Sequence, residues 1–131
     1  MSSRGRVTGR LMTAAGDTNI DNALRVTDYK HIILHLAFSD TSTMTASIRG
    51  AIGDTVPDFN SAQSATNRWD NIEVTDLEDG TSIDGDTGIA VVADDNRIIE
   101  INTNGLDFIC PLITAYTAGQ LDVYYTAFTN E

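Results

Sequence analysis

HIILHLAFSDTSTMTASI, residues 31–48, is the stretch whose reading decides the fold. Ile32, Leu34, Leu36 and Phe38 fall on one side of an extended chain by its two-residue period, and His31, Ile33, His35 and Ala37 fall on the other. The first face is the expected core. The second is mixed, with half-exposed histidines. Residues 40–43 are polar and read as a turn, after which Met44, Ala46 and Ile48 resume the alternation, so the whole reads as a β-hairpin. The order returns downstream: a strand over residues 108–116, a turn Thr117-Ala118-Gly119-Gln120, then Leu121, Val123 and Tyr125 in the register of Met44, Ala46 and Ile48. The offset is 77 residues, Met44 against Leu121. Identity between the copies is nearly nil, so what repeats is a pattern of burial, and it points to paired hairpins in a two-sheet β protein.

Working outward, residues 11–15 and 24–27 read as short strands. Residues 69–77 form another, with Ile72 and Val74 on one side; residues 89–92 and 97–103 follow, the latter burying Ile99 and Ile101. Asp- and Gly-rich turns separate them, and residues 61–67 lack the apolar stripe of a stable helix. Pro111 removes a ladder donor, which places its strand at an edge or at a bulge. The expected fold is all-β: a two-sheet antiparallel β-sandwich, jelly-roll-like, occupying residues 11–131 as a single domain. Residues 1–10 are small, polar and basic and read as a flexible N-terminal arm, in which Arg4, Arg6 and Arg10 would meet the acidic surface of another copy. Deleting residues 1–10 is then expected to leave folding nearly unchanged and to weaken assembly.

A chain of 131 residues can bury roughly two-thirds of its unfolded surface in one core without metals or disulfides. The net charge is −11 and uneven: residues 1–50 carry six basic groups against four acids, and residues 51–131 carry two against fifteen. Such an acidic body argues against nucleic acid as a partner, because that affinity is built on neutralising phosphates. Residues 1–15 lack the apolar run of a signal peptide, and no stretch approaches the ~20 apolar residues of a membrane span, so a soluble protein is expected. Cys110 is the only cysteine; it can form no intrachain disulfide and reads as a buried small hydrophobe.

Little in the chain suggests catalysis. His31 and His35 are the only histidines, ~13 Å apart along an extended strand, too far for a joint metal site. No nucleophile elbow, phosphate loop, dinucleotide fingerprint or zinc spacing occurs, although a carboxylate pair assembled by folding stays open. No enzyme activity and no cofactor are expected. Among the acidic turns Asp84 and Asp86 are weak calcium candidates; turn chemistry explains them without a metal. Trp69 reads as an anchor at one end of the core, or else as an interface anchor.

Several segments carry a resemblance: Ala65-Thr66-Asn67-Arg68-Trp69-Asp70, Val74-Thr75-Asp76-Leu77-Glu78-Asp79-Gly80, Ile83-Asp84-Gly85-Asp86-Thr87-Gly88-Ile89, the run from Arg97 to Leu106, and Thr114-Ala115-Tyr116-Thr117-Ala118-Gly119. Together, over roughly residues 23–128, they resemble small β-sandwich structural proteins of tailed bacteriophages, including head decoration or cement proteins. The resemblance implies a non-enzymatic virion protein, made in the host cytoplasm and carried on the outer capsid surface. Its partners would be the major capsid protein or other virion subunits and copies of itself, with a trimer favoured and Arg4, Arg6, Arg10 and Trp69 at the assembly interface. Two alternatives remain. One is a self-assembling filament, tube or tail subunit linked through its arm; the other is a calcium-assisted carbohydrate-binding module using Trp69, Tyr124 or Tyr125 as a sugar platform.

Overall fold

The computed structural model describes residues 6–16, 23–103 and 105–129. Residues 31–48 do not turn back on themselves. They lie within one strand, β3 (Tyr29–Ala51, 23 residues), and the downstream copy lies within another, β9 (Phe108–Thr129, 22 residues). The two strands pair with each other, antiparallel, from Tyr29 opposite Thr129 to Ala51 opposite Phe108. The repeated burial pattern is thus one long ribbon whose two strands share the same bend, in place of the two hairpins expected.

The residues read as turns are where the ribbon bends. Its register slips between Ser39 and Thr43 and again between Thr43 and Met44. Thr41 takes a positive φ of 56° and Gly119 one of 99°. A left-handed residue redirects a strand without reversing it, so a polar, glycine-containing segment can serve a corner as well as a hairpin. Ser42, fully buried, replaces the missing ladder bonds: its hydroxyl donates to Ser39 O and lies 3.4 Å from Gln120 O. A Cβ on Gly119 would come within 2.5 Å of Ser42 Cα, so the corner closes only over glycine. Further along, Thr45 opposes Ala115 while Ala46 opposes Ile113. Thr114 is therefore an extra residue, a β-bulge that increases the local twist.

The other strands flank this ribbon. β1 (Arg6–Ala15) and β2 (Leu24–Arg25) pair with the two halves of β9. β4 (Asp70–Asn71), β7 (Ile89–Val91) and β8 (Asp95–Asn102) pair with successive parts of β3. β5 (Val74–Asp76) extends from β8, and β6 (Ser82–Ile83) from β5. Among the described residues every pairing is antiparallel and nine strands form one hydrogen-bonded sheet, with the main path β1-β9-β3-β8-β5-β6. The chain is all-β as expected, but the β3–β9 ladder resumes beyond the bend and keeps all the strands in one sheet. The architecture is a single curled sheet, an open half-barrel, where the sequence suggested two separate sheets.

The concave side holds the main core. Ile32, Leu34, Leu36 and Phe38 are buried, as are Met44, Ala46 and Ile48, and they meet Leu121 and Val123 of β9 and Ile99 and Ile101 of β8. His31, Ile33, His35 and Ala37 are half-buried on the other face. Each aliphatic side chain removed from water here contributes about 1.5–3 kcal/mol. A second, smaller cluster of Ala51, Phe59, Phe108 and Cys110 lies against the start of β9, with Ala23 and Trp69 packed on it. Residues 108–113 consequently bury both faces. Pro111 pairs with Ile48 of β3, and on the far side β2 reaches only Ile109, so Pro111 sits where β9 is an edge among the described residues.

The expected arm needs correction over half its length. Residues 6–10 are the first half of β1, registered from Arg6 opposite Phe128 to Arg10 opposite Tyr124. They show no apolar alternation because both their faces are exposed. Their strand conformation comes from the ladder with β9. Residues 1–5, including Arg4, lie outside the described residues.

Candidate functional site

An open depression lies beside the end of β3. As β3 finishes at Ala51 the chain leaves on a long loop that returns at Trp69, and this loop is tied down internally. Fully buried Phe59 anchors it to the small cluster. The Asn67 amide accepts from Asp58 N at 2.8 Å and donates to the carbonyls of Asp58, Ser61 and Ala62. The Asp58 carboxylate accepts from Ser61 Oγ and Asn60 N, and those bonds hold its pKa below the ordinary carboxylate value. A loop so braced can place a side chain with the precision of a strand.

That side chain is Trp69. The Arg49 guanidinium carbon lies 3.9 Å from the centroid of the Trp69 ring, and the indole Nε1 donates to Ser61 O at 2.9 Å. Arg49 is itself held, donating to Phe59 O and, at 3.3 Å, to Asn71 Oδ1. Burial lowers its pKa, with Cys110 acting in the opposite sense, yet a guanidinium stays charged at any physiological pH. The cation and the ring therefore lock each other. Beside them opens a depression of about 810 Å³, bordered by Gly50, Ile52, Gln63, Arg68, Trp69 and Asp70. Ile52 stands 74% exposed at its rim. Sequence reading singled out Trp69 alone of these; Arg49, twenty positions upstream, and Gln63, in a loop without periodicity, carry no local signal.

The basic candidates lie elsewhere. Arg10 stacks over Tyr124, 4.6 Å from the ring centroid, and donates to its hydroxyl. Arg6 sits further along the same edge strand. Tyr124 opposes His35, whereas the residue of β3 beside Trp69 is Arg49, so the strand's length separates the basic edge from the tryptophan. Of the expected interface residues, Arg6 and Arg10 lie on β1 and Trp69 lies apart from them, while Arg4 is outside the described residues.

Asp84 and Asp86 serve a turn. Asp84 Oδ1 accepts from Asp86 N at 2.9 Å, and Asp86 Oδ1 accepts from Asn71 Nδ2 at 3.0 Å. Among the described residues no three His, Cys, Asp or Glu side chains are placed to hold a metal ion. His31 lies 3.9 Å from Glu100, and His35 Nε2 lies 2.9 Å from Asn96 Oδ1. Asp76, the one buried carboxylate among the described residues, is 3.6 Å from Arg97, which also bonds Asp95 at 2.8 Å. No helix among the described residues is long and apolar enough to cross a membrane.

A bent antiparallel ribbon flanked by short strands defines a class of fold, and that class has solved members. The SPBc2 prophage-derived protein YomS matches over 98% of this chain and 97% of its own, with a TM-score of 0.73 at 10% sequence identity. The PBSX exported protein XepA matches over 98% of this chain with a TM-score of 0.69 at 16% identity. The match takes up 39% of XepA, which is the longer chain. At these identities the likeness is one of fold. No family model and no curated protein matches the sequence.

Proposed function

We propose that this chain is a non-enzymatic structural protein of a tailed bacteriophage, and that it acts as a head decoration protein, binding the major capsid protein on the outer capsid surface. The observation that carries the reading is the end-to-end fold likeness to a prophage-derived protein, YomS, which spans nearly the whole of both chains. It joins the resemblance of the strand and turn segments to virion β proteins. Two further features are in keeping. The acidic second half suits a surface that faces solvent and repels internal DNA. The carboxylates whose pKa values depart from the ordinary, Asp58, Asp79, Asp95 and Asp107, are each held by loop or turn donors or by Arg97, as structural acids are.

The test is to purify the parent virions and ask whether the protein is present in stoichiometric copy number and reachable by antibody on intact heads. Recombinant protein should add to heads lacking it and raise their resistance to heat. Absence from purified virions would refute the reading. A solution mass near three times 14.1 kDa is the accompanying expectation for a trimeric cement.

One observation favours a second reading, a tube or tail subunit. β1 is ten residues long and ends the sheet, with an unpaired outer edge among the described residues, and such an edge can accept a strand from a neighbour. Growth of the solution mass without limit as concentration rises would select it over the decoration protein.

A further inference from the structure

We propose that the depression beside Trp69 is a binding site for a neutral oligosaccharide. A sugar ring offers an apolar face of C–H bonds and a rim of hydroxyls, and its binding sites supply an aromatic surface with planar polar side chains beside it. The depression has these parts. Trp69 is half-buried, held by Arg49 on one face and packed against the small cluster, and its exposed part borders the depression. Gln63, Arg68 and Asp70 surround it. Gln63 Nε2 donates to Trp69 O and lies 3.2 Å from Asp70 Oδ1, which also accepts from Asn71 N. The second Asp70 oxygen is left to accept from hydroxyls. Arg68 uses Nε on Ala65 O at 3.0 Å, leaving its outer N–H groups to donate.

Charge and shape narrow the ligand class. Arg68 and Asp70 cancel, so nothing here recruits a phosphate or a carboxylate. The volume of about 810 Å³ falls within the roughly 300–1,000 Å³ of small-ligand sites. A peptide adding as a strand would need a free edge, and the nearest, β4, is flanked on one side by β3 and on the other by the turn at Gly85. A Cβ at Gly85 would come within 2.8 Å of backbone atoms of Asn71 and Ile72, so that turn lies directly against β4. Recognition here runs through side chains, which suits hydroxyls. Asp84 and Asp86 each use one carboxylate oxygen in their turn and neither borders the depression, so the proposed site includes no calcium. The proposal stands apart from virion membership and holds whether or not the protein is a cement.

Trp69 is the only tryptophan, so its fluorescence reports the site directly. Titration of the whole protein with maltotriose, cellotriose and chitotriose should give, for at least one, a saturable change in emission with a dissociation constant between about 10 μM and 1 mM. The change should persist in chelator. Arg68→Ala and Asp70→Asn should each weaken binding about tenfold, the loss of one charge-assisted hydrogen bond. Arg68 is exposed, so R68A should keep the native urea midpoint and secure the comparison against misfolding. Unchanged emission with all three sugars at about 10 mM would overturn the proposal, as would binding that R68A and D70N leave within about twofold.

Discussion

Gly119→Ala isolates the corner on which the fold turns. Gly119 has a φ of 99° and its missing Cβ would sit 2.5 Å from Ser42 Cα and nearer still to the Ser42 hydroxyl. Two penalties combine there. Holding an L-residue in left-handed territory costs about 1–2 kcal/mol, and forcing a methyl into packed backbone costs about 1–3 kcal/mol more. Gly80 supplies the control, with a φ of 76° but nothing within 4 Å of its would-be Cβ. Gly80→Ala should therefore lose only the first amount, and Gly119→Ala about 2–5 kcal/mol. Urea unfolding followed by circular dichroism reads both; with m near ~2 kcal/mol/M, a loss of ~3 kcal/mol moves the midpoint by ~1.5 M. Equal losses in the two variants would refute the close packing of Gly119 on Ser42, and with it the account of how the ribbon bends.

Phe59→Ala should cost about 3–5 kcal/mol by emptying the small cluster. It should also red-shift Trp69 emission, because Trp69 packs on the same cluster and would meet water where the ring is lost; a loss under ~1 kcal/mol with unmoved emission would count against the linkage. Arg97→Ala strips the partner from Asp76, whose side chain is only 9% exposed, and should cost about 2 kcal/mol, less than the ~3–5 of a fully buried pair because Arg97 is 29% exposed. The same substitution in an Asp76→Asn background should cost clearly less, and an equal cost would show the pair to be uncoupled. Asp58, Asp79, Asp95 and Asp107 all have native pKa values below the ordinary one, owing first to Ser61, Thr81, Arg97 and the Gly53 amide respectively. Their stabilisation is complete above the unfolded value of about 3.9 and is lost as pH falls through the lowered native values. The urea midpoint should thus hold down to about pH 5 and fall below about pH 4; a midpoint that keeps rising to pH 3 would mean that relief of the −11 net charge outweighs those bonds. Deleting residues 1–10 removes the pairings from Arg6 to Arg10 with β9, so the melting temperature should drop by several degrees, where an unpaired arm would leave it unchanged.

The faces of the strands were legible because alternation is a local signal. Ile32 to Phe38, Met44 to Ile48 and Ile99 with Ile101 are buried where the two-residue period puts them. What β3 pairs with was not legible. Residues 40–43 and 117–120 have the composition of hairpin turns, and only the distant partner decides that each instead bends a continuous strand. The same limit applies to residues 6–10, whose strand conformation depends on a ladder with residues 124–128 and on no apolar pattern of their own. At the site, Trp69 was visible as the one large aromatic of its type. Arg49 was hidden in the alternation of β3, and Gln63 in a loop whose order comes from side-chain bonds to Asn67 and Asp58 that have no sequence period.

The long ribbon has a consequence for how the chain is made. Ala51 must wait for Phe108, and Tyr29 for Thr129, so the strand that carries the richest apolar row leaves the ribosome well before any residue that will pair with it in β9. At about 5–20 residues per second that interval lasts seconds, far longer than local β structure takes to form. The nascent protein therefore holds an aliphatic surface without its β9 cover until β9 has emerged, and the closure must join residues as far apart as Tyr29 and Thr129, which is the slow, loop-entropy-limited kind of folding. Codon usage between β3 and β9 and the presence of a holding chaperone should govern the yield of native protein more than the stability of the finished fold does.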